Sequence, residues 1–320
     1  MALTLVEAAK YSNDILQVGV IELIVKDDPI LERIQWKDIV GNGLTYNVET
    51  TESTANFYGV GDTWVESTST VTPTTAVTKI LGGDADVDRF LQTTRSNQQD
   101  LMTEQIAAKT KAIKNKFLDT FWYGYATGSP NEFDGLQTLL SSATYNTVAL
   151  GTNATTPVLM TMRDLEQAID LVKGDKPDGI FMAKAMRRAI NKFLNGVGGM
   201  TKAEIQGKTV QTLFDIPVFV SDRISIAENC NKLFGSTYGY EHTTPTATSD
   251  VSTTIFILRF APEAVCGIQS GGTINVEKLG SLETKDAERV RIKWYPAIML
   301  QKIISCTKLT GVLYTGTVTA

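Results

Sequence analysis

Apolar residues near helical spacing open the chain: Leu5, Ala8, Ala9, Ile15, Leu16 and Val20 predict an amphipathic helix. Gly19 weakens it, and Pro29 ends any helical run through 21–25. Residues 30–40 alternate loosely as far as Gly41-Asn42-Gly43. With only isolated apolar clusters, residues 1–43 predict an arm rather than a domain. The period then changes. Leu44, Tyr46 and Val48 alternate with Thr45, Asn47 and Glu49, the period-2 pattern of a strand. A Thr/Ser-rich stretch follows, with Gly59, Gly61 and Asp62 as turn chemistry among Phe57, Tyr58 and Trp64. A second β-prone run spans 64–81, where β-branched threonine favours extended backbone. Few large aliphatic residues precede Ile80, so residues 44–82 predict a two-stranded ribbon without its own core. An isolated hairpin is marginal in water, so this one is expected to rest on a neighbouring subunit.

Gly82-Gly83-Asp84 predicts the end of the ribbon and the start of a long helix. Val87, Leu91, Leu101, Ile106, Ile113, Phe117 and Phe121 fall at helical multiples, and neither Gly nor Pro occurs from 84 to 123. Such a helix would reach about 50–60 Å. Asp84, Asp86 and Asp88 at its start and Lys109, Lys111, Lys114 and Lys116 toward its end would complement the helix dipole. A turn-rich break at 124–135 follows. Two helices (160–173 and 183–194, the second stopped by Gly196) are expected around a strand at 179–182. Short strands are expected at 215–220, 232–234 and 254–258, with a polar loop at 238–250. Extended segments return at 274–277, 289–294 and 297–313. The class is α+β, with no internal repeat.

The 320 residues are 42% hydrophobic, enough apolar content for a sizeable core, and carry a net charge of −5, an acidic balance that argues against a dedicated nucleic-acid binder, which usually carries a basic face. A single histidine, His242, rules out multi-His metal sites and weighs against a His-based triad. Cys230, Cys266 and Cys306 are too few and too far apart for a disulfide framework, and read as reduced thiols in or near a core. Residues 1–25 carry Glu7, Asp14 and Glu22 without the basic start of a signal peptide, and no apolar run reaches membrane-spanning length.

The candidate motifs fail on their own chemistry. Gly207-Lys208-Thr209 resembles the end of a phosphate loop, but Lys202 stands where the first glycine belongs and a strand-prone run follows. Asp84-Ala-Asp-Val-Asp has Arg89 and Arg95 where a calcium loop needs Gly and Glu. The glycine pairs 41/43, 59/61 and 196/198 lack the third glycine of a dinucleotide fingerprint. The sequon at Asn153 has no export signal beside it. No carboxylate pair stands out by spacing, so no catalytic, cofactor-binding or metal-binding residue is assigned and the chain is not expected to be an enzyme.

The order of arm, ribbon, long helix, α/β portion and terminal strands, with Ile80-Leu-Gly-Gly-Asp-Ala-Asp-Val-Asp-Arg-Phe90 at the ribbon–helix junction, resembles tailed-bacteriophage major capsid proteins of the Hong Kong 97 type. Residues 22–46 around Pro29-Ile-Leu, Phe133-Asp-Gly-Leu136 after the long helix and Phe214-Asp-Ile-Pro-Val-Phe-Val220 support the likeness over nearly the whole chain. The resemblance implies an N-terminal arm (1–43), an extended loop (44–82), a peripheral domain with a spine helix (83–150), an axial domain (151–270) and peripheral terminal strands (271–320). It implies hexamers and pentamers tiling an icosahedral virion shell around double-stranded DNA, assembled in the host cytoplasm without sequence-specific DNA contact or a membrane. A portal is implied, and possible decoration proteins. The chain opens with the arm at Met1, so a separate scaffolding protein is expected.

Phe57, Tyr58 and Trp64 are the subunit-contact candidates. Some relatives join a loop lysine to an asparagine of the peripheral domain. Here residues 44–78 contain no lysine, Lys79 sits at the ribbon's base, and no asparagine follows Glu277, so non-covalent shells are expected. Two alternatives stay open: a cellular nanocompartment shell of the same fold enclosing an enzyme cargo, and, from another class, an uncharacterised hydrolase.

Overall fold

The computed structural model describes residues 29–51, 53–90, 93, 101–140, 147–150, 157–197, 201–205, 208–226, 252–272, 274–282, 284–315 and 318. The expected first helix, the strand at 232–234, the loop at 238–250, and His242, Cys230, Asn153 and Gly207 lie outside them.

Pro29 stands at the first position of a short helix α1 (Pro29–Arg33), where its missing N–H costs nothing. Strands β1 (Trp36–Ile39), β2 (Gly43–Thr51), β3 (Thr70–Val77) and β4 (Leu81–Asp88) follow. The described part of the long helix is α2 (Leu101–Tyr123), then a one-turn helix α3 (Leu136–Leu139). Next come β5 (Thr147–Ala149), β6 (Val158–Leu159), α4 (Met162–Asp170), β7 (Gly179–Met182) and α5 (Lys184–Val197). The rest is extended: β8 (Thr201–Ile205), β9 (Lys208–Leu213), β10 (Ile216–Val220), β11 (Ser252–Leu258), β12 (Val265–Ser270), β13 (Asn275–Ser281), β14 (Ala287–Trp294), β15 (Pro296–Leu300) and β16 (Thr307–Leu313).

An eight-stranded sheet ordered β5-β16-β11-β7-β10-β9-β8, with β6 also on β16, forms a wall between two cores. Period 2 divides its side chains. Ile180, Met182, Ile255 and Ile257 face one core with Leu165 of α4 and Met186 and Ile190 of α5. Phe181, Phe256 and Leu258 face the other with α2. Strands buried on both faces read as continuous apolar runs, which is why 179–182 and 254–258 stood out. Thr161 caps α4: its hydroxyl accepts from Asp164 N at 3.2 Å, and its own N–H donates to the Asp164 carboxylate at 2.8 Å.

Three expectations are corrected. Asp84, Asp86 and Asp88 do not start a helix. They lie on β4, antiparallel to β14, with Asp84 opposite Arg291 and Asp86 opposite Arg289. The lysines of α2 lie in its middle, and its last turn carries no basic residue. Helix α5 runs through Gly196 to Val197. The segment 297–313 is two strands separated by a 3-10 turn at Ile303–Ser305.

The C-terminal half of α2 is buried nearly all round. The Phe117 ring lies 4.7 Å from Trp294, 5.7 Å from Trp36 and 5.8 Å from Phe133, which ties β1, β14 and the turn after α2 to one helical position. Two glycines make that turn possible. Gly124 N–H donates to Thr120 O and Gly135 N–H to Gly124 O, each at 2.8 Å. A Cβ on Gly135 would lie 2.5 Å from Thr120 O and from Gly124 N, closer than packed atoms tolerate.

The end of α2 is also fixed to the segment after β10. Trp122 Nε1 donates to Ser221 Oγ at 3.3 Å, Ser225 N to the Tyr123 hydroxyl at 2.9 Å, and Arg223 to Asp119 at 3.4 Å. Burial outweighs the Arg223 and Lys116 charges and pushes the Asp119 carboxyl up to about 6.

Candidate subunit interface

Strands β2 and β3 pair from Gly43↔Val77 to Thr51↔Thr70. Only the root of this ribbon has a core: Tyr46 is buried, and Leu44, Val48 and Ala76 pack against the main cluster. Thr78 N–H donates to Asn42 O at 3.0 Å, and the Lys79 ammonium donates to Pro130 O at 2.6 Å. On the opposite, exposed face of the root, the Thr45 and Thr75 hydroxyls bond across the strands at 2.9 Å.

The tip is built from side-chain contacts. Tyr58 stacks on Trp64 with centroids 4.5 Å apart. The Tyr58 hydroxyl accepts from Val65 N at 3.0 Å, and Gly59 N donates to Asp62 Oδ2 at 2.5 Å. Ser67 Oγ donates to Thr54 O at 2.7 Å and accepts from Thr54 N at 2.9 Å. The three contact candidates therefore separate. Tyr58 is half-buried by its partner, whereas Phe57 is fully exposed and Trp64 is 79% exposed. Val60 and Val65 beside them are exposed too. Residues 44–78 carry Glu49, Glu52, Asp62 and Glu66 and no cation. The tip thus combines exposed apolar groups with purely negative charge.

The basic residues of β14 are already matched. Arg291 makes a two-pronged contact with Asp84 at 2.6 and 2.8 Å, Arg289 does the same with Asp86 at 2.6 Å twice, and Lys293 pairs with Glu277 at 2.6 Å. These hydrogen bonds hold both aspartates below the usual carboxylate range. The signal was present in the sequence: Asp-Ala-Asp-Val-Asp alternates in period 2 and matches the alternation of Arg-Val-Arg-Ile-Lys.

The two described cysteines are buried, and burial pushes the Cys306 thiol up to about 11 and Cys266 above its ordinary value. Neither is poised as a nucleophile.

A second surface went unnoticed in the sequence. Helix α5 carries Lys184, Arg187, Arg188 and Lys192 and no carboxylate, and all four are exposed. At its N-terminal end, Ala183, Ala185, Ile224 and Ile226 line an open groove of about 360 Å³. Lys184 and Asp222 pair at its rim at 2.7 Å.

A family described as SU10 major capsid protein matches residues 13–224. No curated protein matches. Among solved structures, the chain is similar to the holo-SrpI encapsulin complex from Synechococcus elongatus at 15% identity, covering 100% of this chain and 99% of that one with a TM-score of 0.67. It is similar to the capsid of an empty GTA particle at 12% identity, covering 88% of each chain with a TM-score of 0.60. It is similar to a Mycobacterium phage Bobi chain at 13% identity, covering 97% of this chain and 98% of that one with a TM-score of 0.58. At these identities the likeness is one of fold, and the fold is the α+β shell architecture implied by the sequence resemblance.

Proposed function

This chain belongs to the SU10 major capsid protein family and is a structural shell protein of a tailed-phage virion; on that premise we propose that its hexamers and pentamers close an icosahedral head around double-stranded DNA. The observation that carries the subunit-level reading is the ribbon: 53–69 has no core of its own, yet it displays Phe57 and Trp64 to solvent. Aromatic groups held on a projecting element lose area to water only against another molecule. Phe57, Tyr58 and Trp64 are the contact residues of this reading, the first and last as anchors and Tyr58 as the clasp that holds Trp64.

The same reading takes residues 44–82 as the extended loop and α2 as the spine of a peripheral domain. It includes assembly in the host cytoplasm, with a scaffolding protein, a portal and a possible decoration protein as partners. DNA would be enclosed without sequence-specific contact, in keeping with the net charge of −5.

The test is sedimentation of the purified chain across concentration, with and without scaffold. Rings of five and six or closed shells are expected; a chain that stays monomeric at high concentration would sink the reading. A second reading is a nanocompartment shell, favoured by the full-length fold likeness to an encapsulin. Copurifying enzyme cargo in place of packaged DNA would select it.

A further inference from the structure

The chain holds four pairs in which Asn or Asp precedes Gly: Asn42-Gly43, Asp134-Gly135, Asp178-Gly179 and Asn195-Gly196. In such a pair the glycine nitrogen, unshielded by a side chain, can close on the carbonyl carbon of the preceding side chain. The fold locks three of them. Gly135 N–H donates to Gly124 O, and Asp134 Oδ1 accepts from Ala126 N, each at 2.8 Å. Gly179 is buried on β7 between β10 and β11, and Asp178 Oδ2 accepts from Phe260 N at 2.7 Å. Asn195-Gly196 lies within α5, where helical dihedrals direct each N–H to the carbonyl four residues back.

We propose that the fourth pair, Asn42-Gly43 at the root of the ribbon, is a site of spontaneous deamidation that loosens the root as the chain ages. The inference goes beyond the shell reading and needs no assembly.

The root leaves both reacting groups available. Asn42 is exposed, and its carboxamide makes no hydrogen bond among the described residues. Gly43 opens β2 opposite Val77, and the Thr78 N–H and hydroxyl both donate to Asn42 O, at 3.0 and 3.1 Å. Hydrogen bonding alternates along an antiparallel ladder, so with Asn42 and Thr78 joined the Gly43 N–H points away from β3. Among the described residues β2 pairs with no other strand.

The chemistry needs only water. The Gly43 nitrogen attacks Asn42 Cγ, the N–Cγ bond forms, the Cγ–Nδ2 bond breaks, and ammonia leaves with the Gly43 proton. Water then opens the five-membered imide at either carbonyl, leaving aspartate or isoaspartate in place of Asn42. Both products add a negative charge. Isoaspartate also routes the main chain through the side chain, one methylene longer. The carbonyl that holds Thr78 then belongs to a pendant carboxylate, and the clamp loses its register. The attacking nitrogen must give up its proton, so the reaction speeds as pH rises.

The experiment ages the full-length protein at pH 6 and pH 9, folded and in guanidinium chloride, and follows its peptides by mass spectrometry. The Asn42 peptide should gain the mass difference between OH and NH2, faster at pH 9, with isoaspartate detected by enzymatic methylation. In the folded protein Asn195 should react at least roughly tenfold more slowly, because the last turn of α5 must open first. In guanidinium chloride the two sites should react alike. Hydrogen exchange at the Thr78 amide should speed up in the aged protein but not in aged Asn42→Ser, which cannot form the imide and replaces an exposed side chain. An Asn42 that stays intact in the folded protein while reacting in denaturant overturns the inference. So does an Asn195 that keeps pace with Asn42 in the folded protein. A modified Asn42 with unchanged exchange at Thr78 refutes the loosening of the root.

Discussion

Replacing Asp119 by Asn separates two effects that oppose each other at the end of α2. Arg223, 3.4 Å away, favours the carboxylate, while burial favours the neutral acid. Burial wins, raising the carboxyl from 3.8 to about 6. The native state therefore binds this proton more tightly than the unfolded chain does. The associated stability is fully present below about pH 4 and is lost as pH rises through about 6. A gap of about two units at 1.36 kcal/mol each makes the ionised side chain cost about 3 kcal/mol at pH 8. Asp119→Asn imitates the protonated state at all pH values. It should stabilise the unassembled subunit at pH 8 by about 2–3 kcal/mol, and the gain should vanish near pH 4. Urea unfolding at both pH values measures this as a shift in midpoint at constant slope. If the Asn variant is less stable at pH 8, the Arg223 pair dominates and the argument from burial is wrong.

Other expectations follow from the same contacts. Asp84 and Asp86 are held below their ordinary range by Arg291 and Arg289, so their contribution is present above about pH 4 and is lost as pH falls through the lowered values. Arg291→Met should flatten the loss of stability measured between pH 5 and pH 2, and an unchanged profile would refute the assignment. Gly135→Ala should cost more than about 2 kcal/mol, read from the urea midpoint, because its Cβ would strike backbone atoms at 2.5 Å. Boiled particles on a denaturing gel should run as single chains: residues 44–78 hold no lysine, and the Lys79 ammonium is bound to Pro130 O. A ladder surviving reductant would contradict this.

The sequence was most readable where one face or both faces of an element are apolar over a short span. Strands β2, β7, β10 and β11 and helix α4 stand near their expected places for that reason. It misled where a pattern needs a distant partner to be interpreted. Asp84, Asp86 and Asp88 suit a helix start as well as a strand, and only Arg289 and Arg291, some 200 residues on, decide for the strand. Gly196 looked like a helix stop, but α5 runs through it to Val197, since a glycine costs a helix only about 1 kcal/mol relative to alanine. In 297–313 the polar pair Gln301-Lys302 marked the break; the Ser305 hydroxyl then bonds Lys302 O at 2.6 Å. The ribbon aromatics were found as a group, yet their division into clasp and anchors depends on the Tyr58–Trp64 stack. The groove beside α5 was not legible, since Ala185, Ile224 and Ile226 come from separate segments and meet only in the fold.

The central claim is that this chain closes into a shell through contacts between copies. Electron microscopy of the purified full-length protein under assembly conditions tests it most directly. The account predicts closed particles with fivefold and sixfold clusters of subunits, in which the ribbon of each subunit lies on a neighbour. Particles in which residues 53–69 project into solvent untouched, or preparations containing only separate subunits, would contradict it.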